Sequence, residues 1–188
     1  AECGIDGAQI EFLLAGLGEH AAPESAPTSY VRDLFDQYAT HFDQHLQQQL
    51  HYQIPQLLQQ ALSRHSPQQV ERSLDLGCGT KPRNPFSANT VFGVDISDAG
   101  ISNIVQSDLS QSPIPFENGS MDYITAFDFI EHVPRVIYLP SIRLSFIELM
   151  NEIHRVLKPR GIFLAQTPVY PFSACFTDPT HINPVTSE

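Results

Sequence analysis

Basic residues are scarce in this sequence. Ten Lys and Arg stand against 21 Asp and Glu, a formal net charge of −11. Phosphate binding needs clustered Lys and Arg, so the balance argues against a general nucleic-acid binder, while leaving room for one local basic site. Cysteine is sparse too. Cys3, Cys78 and Cys175 are odd in number, scattered and without metal-ligand spacing. No metal site is assigned on that basis, and a reducing, cytoplasmic setting is the simplest reading. No segment has the long apolar run of a transmembrane helix, and the N-terminus lacks a basic-then-apolar signal, so no membrane partner is expected. No internal repeat is visible. The sequence also begins without Met, which reads as a trimmed chain or a fragment.

What is there suits a globular protein. The chain has 188 residues, and its 41% apolar content is enough for one α/β core plus an extension. Residues 1–29 read as a junction and linker. Within them Ala8 to Leu17 forms a short amphipathic stretch with helical pattern, and Gly18 to Ser29 is rich in Ala, Pro and Ser. Residues 30–66 read as a helical cap, with Val31, Leu34, Phe35, Tyr38, Phe42 and Leu46 near helical spacing. A Gln-rich run broken by Pro55 follows and reads as further helix.

Residues 67–188 alternate differently. Candidate strands are Arg72–Leu76, Thr90–Val94, Asn103–Gln106, Met121–Phe127 and Gly161–Thr167. The last two are apolar and rich in β-branched or aromatic residues, as buried parallel strands are. Between them Ile142, Phe146, Leu149, Ile153 and Val156 share a helix face, with Ser141 as the expected N-cap. Lys158-Pro159-Arg160-Gly161 should end that helix and turn the chain into the next strand. The pattern predicts an α/β fold with a mostly parallel sheet. The first two crossovers are short, and prolines at 82 and 85 prevent a regular helix after the first strand. A parallel crossover normally takes about a dozen residues, so either these links are compact coils or one strand is misassigned.

Four features fall at the predicted carboxyl ends of strands, where open α/β sheets bind ligands. Gly77 and Gly79 follow the first strand, and without a Cβ they admit a ligand against the backbone. Asp95 ends the second strand and can accept two hydrogen bonds from a ribose diol. Asp108 follows the third and can accept from an exocyclic amine, while Ile96 and Leu109 can sandwich an aromatic ring. Phe127-Asp128-Phe129 ends the fourth and runs into Glu131-His132. Cys78, in the glycine turn, reads as a small packing residue rather than a nucleophile. Asp75 either positions the turn and the ligand through it, or is a capped strand-end carboxylate. His181 sits in a loop that can approach the same cleft.

These stretches resemble the class I S-adenosylmethionine-dependent methyltransferases over about Arg72 to Pro168. "LDLGCGT" looks like the first motif of that family, "VFGVDIS" its acidic second-strand motif, "SDLS" its adenine motif and "MDYITAFDFIEHV" its fourth strand. "ELMNEIHRVLKPRGIFLAQTP" resembles its last helix and fifth strand. The resemblance implies a Rossmann-like domain that binds S-adenosyl-L-methionine. Gly77, Cys78 and Gly79 would face the methionine part, with Asp75 as a further cofactor-binding candidate. Asp95 would hold the ribose, Ile96 and Leu109 the adenine faces, Asp108 the adenine amine, and Phe127 the region near the sulfonium. Lys81 or Arg83 would reach the cofactor carboxylate, or both are solvated loop charges. His132, with Asp128 as the other candidate, would take a proton from an acceptor. The acceptor itself, a small metabolite, a sugar or a protein side chain, is open.

Tyr30 to Leu58 resembles the segment before the catalytic domain in methyltransferases that carry tetratricopeptide repeats upstream. Lys81 stands where a glycine normally follows "GCGT". The closing antiparallel strands of the family are not expected before Glu188, and "TDPTHINPVTSE" looks like the start of a substrate loop. The fifth strand should then be a sheet edge, which predicts self-association. Two rival readings stand beside this one: a non-catalytic binding or scaffold module that keeps the crevice, and an NAD-dependent oxidoreductase. The second is disfavoured by "GCGT" in place of a three-glycine fingerprint.

Overall fold

The computed structural model describes residues 7–21, 26–34, 57, 60, 70–98, 100–138, 140–171 and 180–186. The Gln-rich run, apart from Leu57 and Gln60, and the residues Phe35, Tyr38, Phe42 and Leu46 lie outside them. Five strands form one sheet: β1 (Arg72–Leu76), β2 (Thr90–Asp95), β3 (Ile104–Gln106), β4 (Met121–Phe127) and β5 (Leu157–Gln166). Their order is β3-β2-β1-β4-β5 and every pairing is parallel. This is a Rossmann-like α/β sheet with β1 at its centre.

Strand alternation sorts the core into two faces. Leu74 and Leu76 of β1, Val94 of β2, and Ile124 and Ala126 of β4 join one buried cluster with Leu149, Ile153 and Val156 of the helix α2 (Ser145–Val156). The opposite positions build another surface. Tyr123 packs with Val70 and Ala88, and stacks on Phe86 at 4.1 Å between ring centroids. That surface also carries Ser73, Asp75 and Thr125, all buried.

The short crossovers are compact coils, and all five strand assignments hold. Among the described residues no helix joins β1 to β2. The coil between them is folded by hydrogen bonds instead. Asn84 grips Ala88 at both ends of its amide, Oδ1 accepting from the Ala88 N–H at 2.8 Å and Nδ2 donating to its carbonyl at 3.0 Å. The carboxylate of Asp75 accepts the Arg83 N–H at 2.8 Å. The coil can lie flat on the sheet because Gly93 of β2 has no side chain. A Cβ there would come within 2.4 Å of Cys78 Sγ and 2.7 Å of Pro82 Cγ.

Three local expectations are corrected. Ser141 is not the N-cap of α2. Ile137 and Arg143 exchange backbone hydrogen bonds in an isolated antiparallel bridge, which takes residues 141–142 out of the helix and leaves Ile142 73% exposed. The helix starts at Ser145, whose hydroxyl donates to the Ser110 carbonyl at 3.0 Å. The fifth strand begins at Leu157 rather than Gly161. Met121 pairs with Leu157 and Tyr123 with Ile162, so Lys158–Gly161 is a bulge within the strand, with Arg160 at a φ of 68°. Finally, α1 (Gly7–Gly16) is helical as expected but its apolar side does not face inward. Gln9 is the buried residue, donating to Asp33 Oδ2 at 2.6 Å, while Ile10 and Leu13 are about half exposed. Apolar residues at 10, 12, 13 and 14 spread round the helix, so no single stripe forms.

Candidate functional site

A cavity of about 540 Å³ opens at the carboxyl ends of β1, β2 and β4. Its position follows from topology, since the chain reverses its strand order on either side of β1. The glycine turn after β1 forms one wall. Gly77 donates to the Val94 carbonyl at 2.8 Å, which ties the turn to β2, and both Gly77 and Gly79 have positive φ, 65° and 58°. A Cβ on Gly77 would fall 2.4 Å from Phe129 Cδ2, so the close approach of that ring demands glycine.

Asp95 is held by its backbone neighbours. Oδ2 accepts the Gly79 N–H at 2.8 Å and Oδ1 accepts the Ser97 N–H at 2.9 Å. Each oxygen has a second lone pair, so a diol can still be gripped by a carboxylate whose rotamer is already set. Asp108 is held likewise. Its Oδ1 accepts from the Ser110 N–H at 2.9 Å and the Ser110 hydroxyl at 2.6 Å. Ile96, Leu109 and Phe127 line the same cavity, with Asp128 and His132 at its other side. Asp128 has a φ of 50°, the left-handed conformation that turns the chain out of β4.

Two predicted residues stand behind the wall. Asp75 is 1% exposed, accepting from the Thr125 hydroxyl at 2.7 Å as well as from Arg83. Burial pushes its pKa up to about 6, against the pull of those two hydrogen bonds and the Arg83 charge, with Asp95 adding to the rise. Its influence on the cavity runs through Arg83, which lines it, whereas Lys81 does not. Cys78 is buried against Gly93, and burial, then the charges of Asp75 and Asp95, push its thiol far up, which leaves it unreactive.

Two further segments close the cavity, and sequence reasoning missed the first of them. Residues 28–34 are helical, and Thr28 and Val31 line the site, the Thr28 hydroxyl lying 3.4 Å from Asp108 Oδ2. Their distance along the chain from β3 gave no signal. On the opposite side residues 180–186 dock on the 3-10 turn Ile130–His132, placing Thr180 and Ile182 in the lining. This is the loop that the sequence places near the cleft through His181; its anchoring by Arg135 and Asn183 has no sequence signal.

Fold and cavity together define an α/β domain with an open cavity at the carboxyl end of a parallel sheet. The sequence of residues 46–181 matches the model of a methyltransferase domain family, and the chain belongs to that family. No curated protein matches the chain. Among solved structures, a methyltransferase of Archaeoglobus fulgidus described as SAM-dependent is similar at a TM-score of 0.51 and 22% identity, over 71% of this chain and 63% of that one. A Haloferax volcanii methyltransferase in complex with the activator Trm112 is similar at 0.50 and 21%, over 71% and 58%. The chain thus spans roughly three fifths of the length of these two proteins. At such identity the likeness establishes the fold.

Proposed function

We propose that the chain binds S-adenosyl-L-methionine in this cavity and transfers its methyl group to an acceptor that enters beside His132 and Asp128. The observation that carries the reading is the preset carboxylate of Asp95, locked by Gly79 and Ser97, within a cavity that also collects Gly77, Asp108, Leu109 and Phe127. The volume suits a ligand of this size, within the usual ~300–1,000 Å³ of small-molecule sites. When bound, S-adenosyl-L-methionine supplies an electrophilic methyl group on a sulfonium that is its own leaving group.

The residues would divide the work as follows. Asp95 holds the ribose hydroxyls, and Asp108 the adenine edge, with Ile96 and Leu109 on the ring faces. The glycine turn with Cys78, braced from below by Asp75, receives the amino-acid end, and Arg83 offers its guanidinium to the carboxylate. Phe127 keeps the reacting carbon dry. Methyl transfer then needs alignment of acceptor, methyl and sulfur rather than an enzyme nucleophile. His132 or Asp128 accepts the acceptor proton if there is one to lose. The acceptor class is a small molecule or a protein side chain, without nucleic acid or membrane.

We further read residues 1–29 as a junction, 30–66 as a helical cap and 67–188 as the methyl-donor domain, in a cytoplasmic protein whose N-terminal segment resembles that of repeat-linked methyltransferases. Among the described residues no helix is long and apolar enough to cross a membrane. Calorimetry with S-adenosylmethionine and its demethylated product tests the main proposal. Binding of either at micromolar affinity supports it; binding of NADH with no response to the methyl donor overturns it.

A further inference from the structure

The acceptor side of the cavity contains a second constellation. Glu131 and His132 leave β4 in the 3-10 turn, and His181 arrives from the docked segment 180–186. Ligand atoms of Glu131, His132 and His181 all lie within 4.8 Å of one another. Glu131 is 2% exposed and the imidazoles are half-buried, edge to face with centroids 4.8 Å apart. Donors around one ion with bonds of ~2.1 Å sit roughly 3–4 Å apart, so small side-chain adjustments would close this trio on a cation.

The surrounding hydrogen bonds suit that role. His132 Nδ1 lies 3.2 Å from the Thr180 carbonyl oxygen and 2.9 Å from its hydroxyl. In the tautomer whose Nδ1 donates to that carbonyl, Nε2 keeps a lone pair for an ion. An outward N–H to a carbonyl is the bond that orients metal-ligating imidazoles. The backbone carrying His181 is fastened to the same turn. Ile182 and Asn183 both donate to the Glu131 carbonyl, at 3.0 and 2.9 Å. Asn183 Nδ2 donates to the Ile130 carbonyl at 3.1 Å, and Arg135 donates to Asn183 Oδ1 and to the Pro184 carbonyl. The donors are therefore brought together by backbone bonding before any ion arrives. The sequence assigned no metal from its scattered cysteines, and positions 131, 132 and 181 form no recognisable spacing.

We propose that Glu131, His132 and His181 bind a divalent transition-metal ion at the edge of the cavity. Two imidazoles and one carboxylate favour Zn²⁺, Mn²⁺ or Fe²⁺ over Mg²⁺ and Ca²⁺, which take oxygen donors. Three protein ligands leave coordination positions open, and His132 and Thr180 line the cavity, so an acceptor oxygen can reach the ion. This deepens the methyl-transfer reading and rests on it for the role, though not for the binding. A hydroxyl bound to the ion loses its proton to water at a lower pH. The resulting oxygen forms the new O–C bond as the C–S bond breaks, and that electron pair stays on sulfur as a neutral thioether. The acceptor class is therefore an alcohol, phenol or hydroxamate oxygen; with the ion bound His132 serves as its ligand, and of the two proton acceptors named above Asp128 is the one left free for that role.

The test uses the full chain stripped with a chelator and titrated with Mn²⁺, Zn²⁺ and Mg²⁺ by calorimetry, with Mn²⁺ also followed by electron paramagnetic resonance. One Mn²⁺ or Zn²⁺ should bind per chain, with Mg²⁺ at least tenfold weaker. Glu131→Gln and His181→Gln should each weaken Mn²⁺ binding at least thirtyfold, at unchanged circular dichroism. Two variants are used because Glu131 is buried and its replacement alone can unfold the turn. No stoichiometric binding by the wild type, or undiminished binding by folded His181→Gln, overturns the site. Cofactor affinity, measured separately on the stripped protein, reports on the methyl-donor reading independently of either result.

Discussion

Replacing Asp75 with Asn should stabilise this protein above neutral pH, which is unusual for a residue at the end of a central strand. The carboxyl group is buried, and its pKa is raised from 3.8 to about 6. Between those values the folded state keeps a proton that the unfolded state has lost, so stability falls as pH rises from about 4 to about 6. Above pH 6 the ionised carboxylate is a constant cost of about 3 kcal/mol relative to its protonated form. Asparagine removes the charge and keeps the shape. Its carbonyl can accept the Arg83 N–H, its amide can donate to Thr125 Oγ1, and the threonine hydroxyl can turn to the Leu74 carbonyl, 3.4 Å away. Urea denaturation of both proteins from pH 4.5 to 7.5 should give Asp75→Asn an advantage of about 2–3 kcal/mol at pH 7.5, shrinking toward pH 4.5. Asp75→Ala, which also removes the charge but strands the Arg83 N–H, should be about 1–3 kcal/mol less stable than Asp75→Asn. An Asp75→Asn protein less stable than wild type at pH 7.5, with an unchanged pH slope, would refute the reasoning.

Asp95→Ala should weaken S-adenosylmethionine binding by about 1.5–3 kcal/mol in calorimetry, the loss of charged hydrogen bonds; equal affinity would remove it from the site. Gly77→Ala places a methyl group 2.4 Å from the Phe129 ring at a φ of 65°, and should cost about 1–3 kcal/mol in thermal denaturation, with no cost if the ring moves freely. His132→Ala, assayed with a confirmed acceptor, should lower turnover about a hundredfold while cofactor affinity stays near wild type; normal turnover would exclude it from the mechanism. β5 ends the strand order, so its outer edge is open to pairing among the described residues, and light scattering at rising concentration should detect self-association. A strictly monomeric species would argue against that.

Much of this fold is local in origin, and so was legible. Met121–Phe127 carries its strand character in β-branched and aromatic residues, and Arg72–Leu76 is marked by the glycine turn that ends it; both appear with the expected bounds. That Gly77, Asp95, Asp108 and Phe127 would gather at one cavity was predictable because a parallel sheet sends each of its strand ends to the same side. Neighbours distant in sequence decided the rest. The Ile137–Arg143 bridge, not Ser141, sets where α2 begins, and pairing with β4 draws Leu157 into β5 ahead of the bulge. Asp75 could be read two ways from sequence because its pKa depends on burial under Arg83 and Thr125. The gathering of Glu131, His132 and His181 is a property of the tertiary fold alone. It needs the Asn183 and Ile182 bonds that bring a segment some fifty residues downstream onto the end of β4, and no local propensity encodes that meeting.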